Sequence, residues 1–315
     1  MNIVVLDKST LGEDIDLSPV YALGEVVEYE TTAPEYIAER IADADVVIIN
    51  KIKLNESNLK DAKNLKIICV AATGYDNIDT VFCKNSGIAV CNVPGYSTDS
   101  VAQVTLSMAL SLVTHLKEYE GFVRSGEYSA SGVANKLTPV YHELSSLTWG
   151  IVGGGGIGTK VAEIAEAFGC KVLMCRRKHE GKFELADIDT ICKECDIISL
   201  HVPLSDETIN LINSERIKSM KKNAILINTA RGAVTDEKAI ADAIKNGLIG
   251  GLGVDVYSVE PFPHDHPYTE ILHYDNVSFT PHMAWGSFEA RNRCIKRIAE
   301  NIESFYNGDR KNRIV

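Results

Sequence analysis

Nothing in the 315-residue chain approaches the roughly 20 consecutive apolar residues that a membrane-spanning helix needs, so no membrane partner is expected. Positive charge is in short supply. The chain has 32 Lys and Arg against 43 Asp and Glu, a net charge of −11 and a pI near 5.3, which argues against nucleic acid as a main partner. The opening MNIVVLDKST lacks the basic region, long apolar run and small-residue cleavage site of a signal peptide. A cytoplasmic location is therefore expected. Internal repeats and low-complexity tracts are missing, and so are metal-binding patterns. Cys69, Cys83, Cys91, Cys170, Cys175, Cys192, Cys195 and Cys294 lie mostly in or beside apolar runs, as buried, reduced thiols do. Cys192-x-x-Cys195 has no second such pair or His motif nearby, so it reads as structural, with no metal expected. What is present is 45% hydrophobic residues, enough for real cores, in a length that suits two domains.

The stretch 148–178, TWGIVGGGGIGTKVAEIAEAFGCKVLMCRRK, organises the rest. An apolar run over 149–152 reads as a buried strand. A glycine cluster follows, and then Val161, Ala162, Ile164, Ala165 and Phe168 recur at helical spacing. Gly169 stops that helix and 171–175 reads as a second strand. Gly153, Gly155 and Gly158 form GxGxxG at the strand–helix turn. The first glycine permits a tight turn, the second lets backbone approach a pyrophosphate, and the third lets the helix pack close to the strand. The unpaired N–H groups of the helix start then face the phosphates. Strand before, helix after and second strand on schedule are the context this dinucleotide motif requires.

NAD-binding units usually carry Asp or Glu at the end of the second strand, accepting from the ribose 2′-hydroxyl. Here Cys175, Arg176, Arg177 and Lys178 stand there, and no carboxylate appears until Glu180. A cationic cluster suits a 2′-phosphate, so NADP(H) is expected over NAD(H). The competing reading is a solvated strand end, with NAD(H) held by its other contacts.

The first ninety residues alternate short β-rich runs (3–6, 26–29, 46–49, 65–71, 89–93) with helix candidates (34–41, 55–62, 79–86), which implies a parallel sheet covered on both faces. The loop Ala71-Ala72-Thr73-Gly74-Tyr75-Asp76-Asn77 follows a buried strand. It reads either as a plain glycine turn or as a set of backbone amides for an anion such as a carboxylate. A long apolar helix is expected over 97–116 and an amphipathic one over 287–307, each beside a hinge. The segment 117–146 is long for a connection and reads as an arm on a second subunit or as a surface excursion. Strands are expected at 196–202, 224–229, 251–256 and 277–280, with helices at 213–220 and 236–246.

Three motifs end successive strands after the dinucleotide unit: Asn228-Thr229-Ala230-Arg231-Gly232, Asp255-Val256-Tyr257-Ser258-Val259-Glu260-Pro261 and Thr280-Pro281-His282-Met283-Ala284-Trp285. Hydride transfer to a 2-oxo acid needs such a set. His is the usual proton donor near neutral pH, a carboxylate bonded to it favours its charged form, and Arg can hold a carboxylate and polarise a carbonyl.

With TGYDNID, GxGxxG, HVPLSDET, INTARG, DVYSVEP and TPHMAWGSFEAR in this order, the whole chain resembles the D-isomer-specific 2-hydroxyacid dehydrogenase family. TPHMAWGSFEAR and VPGYSTDSVAQ are most similar to its glycerate dehydrogenase (hydroxypyruvate reductase) branch. The resemblance implies two doubly wound α/β domains, a Rossmann cofactor domain (97–286) inserted in a flavodoxin-like substrate domain (1–96 and 287–315), and a homodimer with 117–146 as its arm. It implies hydride transfer between NAD(P)H and a small 2-oxo acid to give a D-2-hydroxy acid, hydroxypyruvate and glyoxylate leading. D-lactate or branched-chain enzymes, or a non-catalytic NAD(H)-sensing corepressor, are the alternatives. It implies His282 as acid/base paired with Glu260, and Arg231 on the substrate beside the nicotinamide. Amides around Thr73 and Gly74 would hold the substrate carboxylate. Gly156 and Ile157 would meet the pyrophosphate, Val202 the adenosine half, Thr229 and Ala230 the nicotinamide side, and Asp255 the carboxamide. Two departures stand out: Arg176 replaces the family's usual acidic residue, and Gly156 stands where a larger polar residue is common.

Overall fold

The computed structural model describes residues 1–177 and 181–315; Lys178 and Glu180, part of the reading of the basic cluster, lie outside the described residues. The chain divides into two units, Met1–Ser97 with Trp285–Val315, and Thr98–Ala284.

In the first unit, β1 (Asn2–Val5), β2 (Glu25–Glu28), β3 (Val46–Ile49), β4 (Ile67–Val70) and β5 (Ala89–Cys91) pair in parallel in the order β2-β1-β3-β4-β5. This is the flavodoxin-like order. Successive side chains of a strand face opposite ways, and both faces here are covered. Ile3, Val5, Val46, Ile48 and Ile67 pack with Ala290, Cys294, Ile295 and Ile298 of the last helix, Phe288–Tyr306. Val4, Leu6, Val47, Ile49 and Ile68 pack on the other side with Ile37, Ile41, Leu59 and Cys83. Burial on both faces is why β3 reads VVII, with no polar alternation. The expected helix over 34–41 is a 3-10 turn, Pro34–Tyr36, followed by one α-turn, Ile37–Arg40.

In the second unit, β6 (Thr148–Val152), β7 (Lys171–Cys175), β8 (Glu184–Leu185), β9 (Ile197–Leu200), β10 (Ile225–Asn228), β11 (Gly251–Val254) and β12 (Val277–Phe279) form a parallel sheet ordered β12-β11-β10-β9-β6-β7-β8. The first six follow the Rossmann order and β12 extends it by one edge strand. The chain reverses direction of travel across the sheet between β6 and β9, the switch point where such sheets bind ligands. Helices α1 (Thr98–Val113) and α2 (Gly156–Ala167) cover one face, burying Ala102, Met108, Val161 and Ala165 against Trp149, Ile151, Ile197 and Ile227. Ile191, Ile217, Ile240 and Ile244 cover the other. The last two lie on α3 (Glu237–Lys245).

The helix expected over 97–116 stops at Val113. The Thr114 hydroxyl donates back to the Leu110 carbonyl (2.7 Å) and His115 turns left-handed at φ 51°. Two further helices follow inside the expected connection, Leu116–Arg124 and Glu127–Ser131, and neither buries a residue. On the first, Leu116, Tyr119, Phe122 and Val123 recur at helical spacing, but that stripe faces no core of this chain.

Candidate active site

Because every strand of the second unit is parallel, the loops after β6, β9, β10, β11 and β12 leave from one edge of its sheet. The glycine turn comes first. Gly153 adopts φ +108°, and a Cβ there would lie 2.5 Å from the His201 carbonyl oxygen. A Cβ at Gly158 would overlap the Gly153 carbonyl, so the start of α2 sits against the strand end only because that residue is glycine. Open space surrounds Gly155, the residue that precedes α2, and Gly156 and Ile157 form its first turn. This is a cradle of backbone amides shaped for a pyrophosphate.

Beside it, Arg176 follows β7 and lies across Gly154, where a Cβ would overlap its Cδ; its Nη2 is 2.9 Å from where a Cβ of Gly181 would stand. Its Nε is buried with no hydrogen-bond partner among the described residues. Arg177 instead pairs with Glu207. The dinucleotide therefore fits the donor set: glycine backbone for the phosphates and a partly buried guanidinium at the end of the second strand. Val202 is half-buried after β9. The preceding His201 places Nε2 3.0 Å from the Ser199 hydroxyl oxygen, which also accepts from the Trp149 indole (3.0 Å).

After β10, the Asn228 side chain straddles the next turn. Its Oδ1 accepts from the Ala230 amide (3.0 Å) and its Nδ2 donates to the Arg231 carbonyl (2.9 Å). Thr229 and Thr105 of α1 share a hydroxyl hydrogen bond (3.1 Å), and Arg231 donates from Nη1 to the Ala230 carbonyl (2.8 Å). Gly232 packs so closely on the Tyr257–Ser258 peptide that any Cβ would overlap it. The arginine turn and the carboxylate turn are thus locked face to face.

After β11, Asp255 is buried and accepts from Thr280 Oγ1 (2.5 Å), the Met283 amide (2.8 Å) and the Ala284 amide (2.9 Å). Burial pushes its carboxyl above the ordinary carboxylate value, against the pull of those donors. These three bonds bracket His282, whose own φ is +51°, an uncommon conformation for a side chain of this size. The strained histidine is held there from both sides by one carboxylate. Its Nδ1 lies 2.6 Å from Oε2 of Glu260, whose Oε1 accepts from the Tyr257 amide (2.9 Å). With Nδ1 bonded to a carboxylate, the orientation of the ring is fixed, and Nε2 is its other nitrogen.

Glu260, His282 and Arg231 therefore occupy successive strand ends of one unit, beside the dinucleotide cradle. The D-isomer specific 2-hydroxyacid dehydrogenase NAD-binding-domain model matches residues 106–284. The chain belongs to this family. It is 37% identical over 311 residues to the glycerate dehydrogenase of Methylorubrum extorquens, covering 98% of each chain. It is 38% identical over 281 residues to the glyoxylate reductase of Thermococcus litoralis, covering 87% of this chain and 84% of that one. Among solved structures, D-lactate dehydrogenase from Aquifex aeolicus, complexed with NAD and lactic acid, superposes with a TM-score of 0.88 at 32% identity, covering 100% and 99% of the two chains. The protein is a D-2-hydroxyacid dehydrogenase, an oxidoreductase that moves a hydride between a nicotinamide cofactor and a small 2-oxo acid.

In this dehydrogenase Thr73 and Gly74 belong to the first unit. The Thr73 hydroxyl donates to the Val93 carbonyl (3.0 Å), and Asn92 Nδ2 donates to the Thr73 carbonyl (2.7 Å), so the loop is pinned at its middle. Cys192 and Cys195 are buried, and burial pushes their thiols up to about 11 and about 12, which keeps them protonated. Among the described residues no cluster of His, Cys, Asp or Glu is arranged to hold a metal, and no helix is long and apolar enough to cross a membrane. Sequence reasoning passed over Glu237 and His266, which bond to each other, and Glu237 also to Ser258. Their partners are distant along the chain, and Glu237 reads as one more acidic residue at a helix start.

Proposed function

We propose that this dehydrogenase reduces hydroxypyruvate to D-glycerate and glyoxylate to glycolate, with NADP(H) favoured over NAD(H). The observation that carries the reaction is the 2.6 Å bond between Glu260 and His282 Nδ1 at the strand-end edge of a dinucleotide-binding unit. When bound, the nicotinamide supplies the hydride that C2 of the 2-oxo acid receives. His282 delivers the proton from Nε2 to the developing alkoxide, and Glu260 holds the ring in place. Arg231 binds the substrate and draws charge from its carbonyl. The amides of Thr73 and Gly74, in a loop pinned through the Thr73 hydroxyl and carbonyl, take the substrate carboxylate.

The glycine turn and Ile157 hold the pyrophosphate, Val202 borders the adenosine half, and Thr229 and Ala230 line the nicotinamide side. Asp255 meets the carboxamide while it braces the 280–284 loop. Arg176, whose buried Nε has no hydrogen-bond partner among the described residues, supports the 2′-phosphate reading; a phosphate would give the guanidinium a charge-assisted partner. The choice of hydroxypyruvate and glyoxylate rests on similarity to proteins bearing those activities in their names. A homodimer in the cytoplasm completes the proposal. Leu116, Val123, Leu137, Val140 and Tyr141 are all exposed apolar side chains between residues 116 and 141, an apolar surface of the kind subunits bury.

Initial rates with hydroxypyruvate test this reading, comparing NADPH with NADH at matched low concentrations and running pyruvate and phenylpyruvate alongside. Fast NADPH oxidation with hydroxypyruvate supports both parts. A strong NADH preference removes the role of Arg176. Cofactor binding without turnover on any of these acids overturns the reaction in favour of a sensor. His282→Asn should remove most turnover while leaving cofactor binding intact, and normal turnover in that variant would refute the acid/base assignment.

A further inference from the structure

We propose that Glu237 and His266 form a buried positioning pair that holds the 257–260 turn, and through it aims Glu260 at His282; the inference rests on the reaction proposed above.

Glu237 is the first residue of α3, directly after the capping Asp236, whose Oδ1 accepts from the Ala239 amide (2.9 Å). A glutamate there usually points into water. Glu237 is only 8% exposed, and three donors converge on its carboxylate. The Ser258 amide donates to Oε1 (2.9 Å), the Ser258 hydroxyl donates to Oε2, and His266 Nε2 lies 3.0 Å from Oε2. The tautomer of His266 follows from its other nitrogen: Nδ1 accepts from the Tyr268 amide (3.2 Å), so it carries no proton, and Nε2 must be the donor. The buried carboxylate is satisfied by these hydrogen bonds. Phe262 and Tyr268 close over the imidazole at ring separations of 4.9 and 5.1 Å.

This second Glu–His pair differs from the first in a way that decides its role. The His282 side chain is 22% exposed; that of His266 is 5% exposed, with both nitrogens committed to protein. His266 has no free nitrogen to exchange a proton with a substrate. Its effect passes through Glu237 to Ser258. Gly232, next to Arg231, also packs on the Tyr257–Ser258 peptide. One residue before Ser258, the Tyr257 amide donates to Glu260 Oε1, which leaves Oε2 to meet His282. Any shift of Ser258 moves the amide that orients the catalytic carboxylate.

The test is a double-mutant cycle on the full chain, read as kcat for hydroxypyruvate and as the NADPH dissociation constant. Glu237→Gln places an amide donor against Ser258 or His266. It should lower kcat by up to about a hundred-fold, the scale of a misplacement of about 1 Å at a catalytic group, with cofactor affinity unchanged. In a Glu260→Gln background it should lower kcat no further, because the residue it positions is already gone. Ser258→Ala removes one of the three donors, perturbs folding less and should show the same non-additivity, while Ser258→Thr, which keeps the hydroxyl, should restore turnover. The proposal is overturned if Glu237→Gln and Ser258→Ala keep wild-type kcat, or if their losses multiply with that of Glu260→Gln, as a general loss of folded protein would. Wild-type turnover in Glu260→Gln alone would overturn the reaction reading itself, which separates that failure from this one.

Discussion

His201 offers a quantitative test of how tightly the second unit is closed under its glycine turn. Burial of the ring pushes its pKa from the ordinary 6.5 down to about 3. Nε2 reaches the Ser199 hydroxyl, and Nδ1 is buried without a hydrogen-bond partner among the described residues. The folded protein therefore holds a neutral imidazole through the range where the unfolded chain takes up a proton. Between 3 and 6.5 the unfolded state binds more protons, so the stability linked to His201 is fully present above 6.5 and is lost as pH falls toward 3. By about pH 5 the loss is about 2 kcal/mol, from 1.36 kcal/mol per pKa unit. Urea unfolding at about pH 7 and about pH 5 reads this out. Wild type is compared with His201→Gln, whose side chain cannot titrate. Trp149 is a local fluorescent reporter, since its indole donates to the same Ser199 hydroxyl oxygen, and Trp285→Phe removes the chain's other tryptophan. The stability difference between wild type and variant should change by about 2 kcal/mol between the two pH values. An identical difference at both, or a His201 ring resonance titrating near 6.5 in the native protein, would refute the argument.

Asp255→Asn should leave one of the three donors from the 280–284 loop facing an amide N–H. The expected cost is about 1–3 kcal/mol of stability together with a fall in kcat as His282 loses its left-handed backbone; calorimetry and turnover check the two effects, and an unchanged melting temperature would count against the bracing role. Arg176→Ser should lower kcat/KM with NADPH by about ten-fold or more, the scale of one charge-assisted hydrogen bond, and leave NADH unchanged; equal losses with both cofactors would contradict the 2′-phosphate reading. Leu137→Asp with Val140→Asp, at positions 73% and 68% exposed, should halve the mass seen by light scattering while leaving the fold intact, and an unaltered mass would remove this segment from the interface.

The fold is legible in the sequence where both faces of a strand are buried. VVII, IICV and the ILI of ILIN are continuous apolar runs because helices cover each sheet on both sides, and their alternation with helical segments is by itself the mark of parallel α/β architecture. The strand–glycine–helix unit is legible for a different reason. The overlap at Gly158 and the positive φ at Gly153 are backbone constraints that only one residue type satisfies. Legibility fails where no core face exists. The helices Leu116–Arg124 and Glu127–Ser131 bury nothing, and β8 is only two residues long. Glu127–Ser131 and β8 are too short to show a period, and the apolar stripe of Leu116–Arg124 has no core of this chain to face.

The site divides along the same physical line. Arg231, Glu260 and His282 stand in distinctive strings at strand ends, and their types alone suggest proton transfer and anion binding. What the strings do not contain is the reason those side chains stay aimed. Asp255 holds His282 through amides 28 and 29 residues away. Glu237 reaches Ser258 across 21 residues and His266 across 29. Gly232 is required only by a peptide on the next loop. None of these partnerships leaves a local pattern, because each joins segments that follow neighbouring strands of the sheet but lie far apart in the chain. Chemistry at such an edge is therefore announced by residue type, whereas preorganisation, which decides how fast the chemistry runs, is written in the topology. Substitutions among the bracing residues should accordingly depress turnover while leaving every residue that touches substrate or cofactor in place.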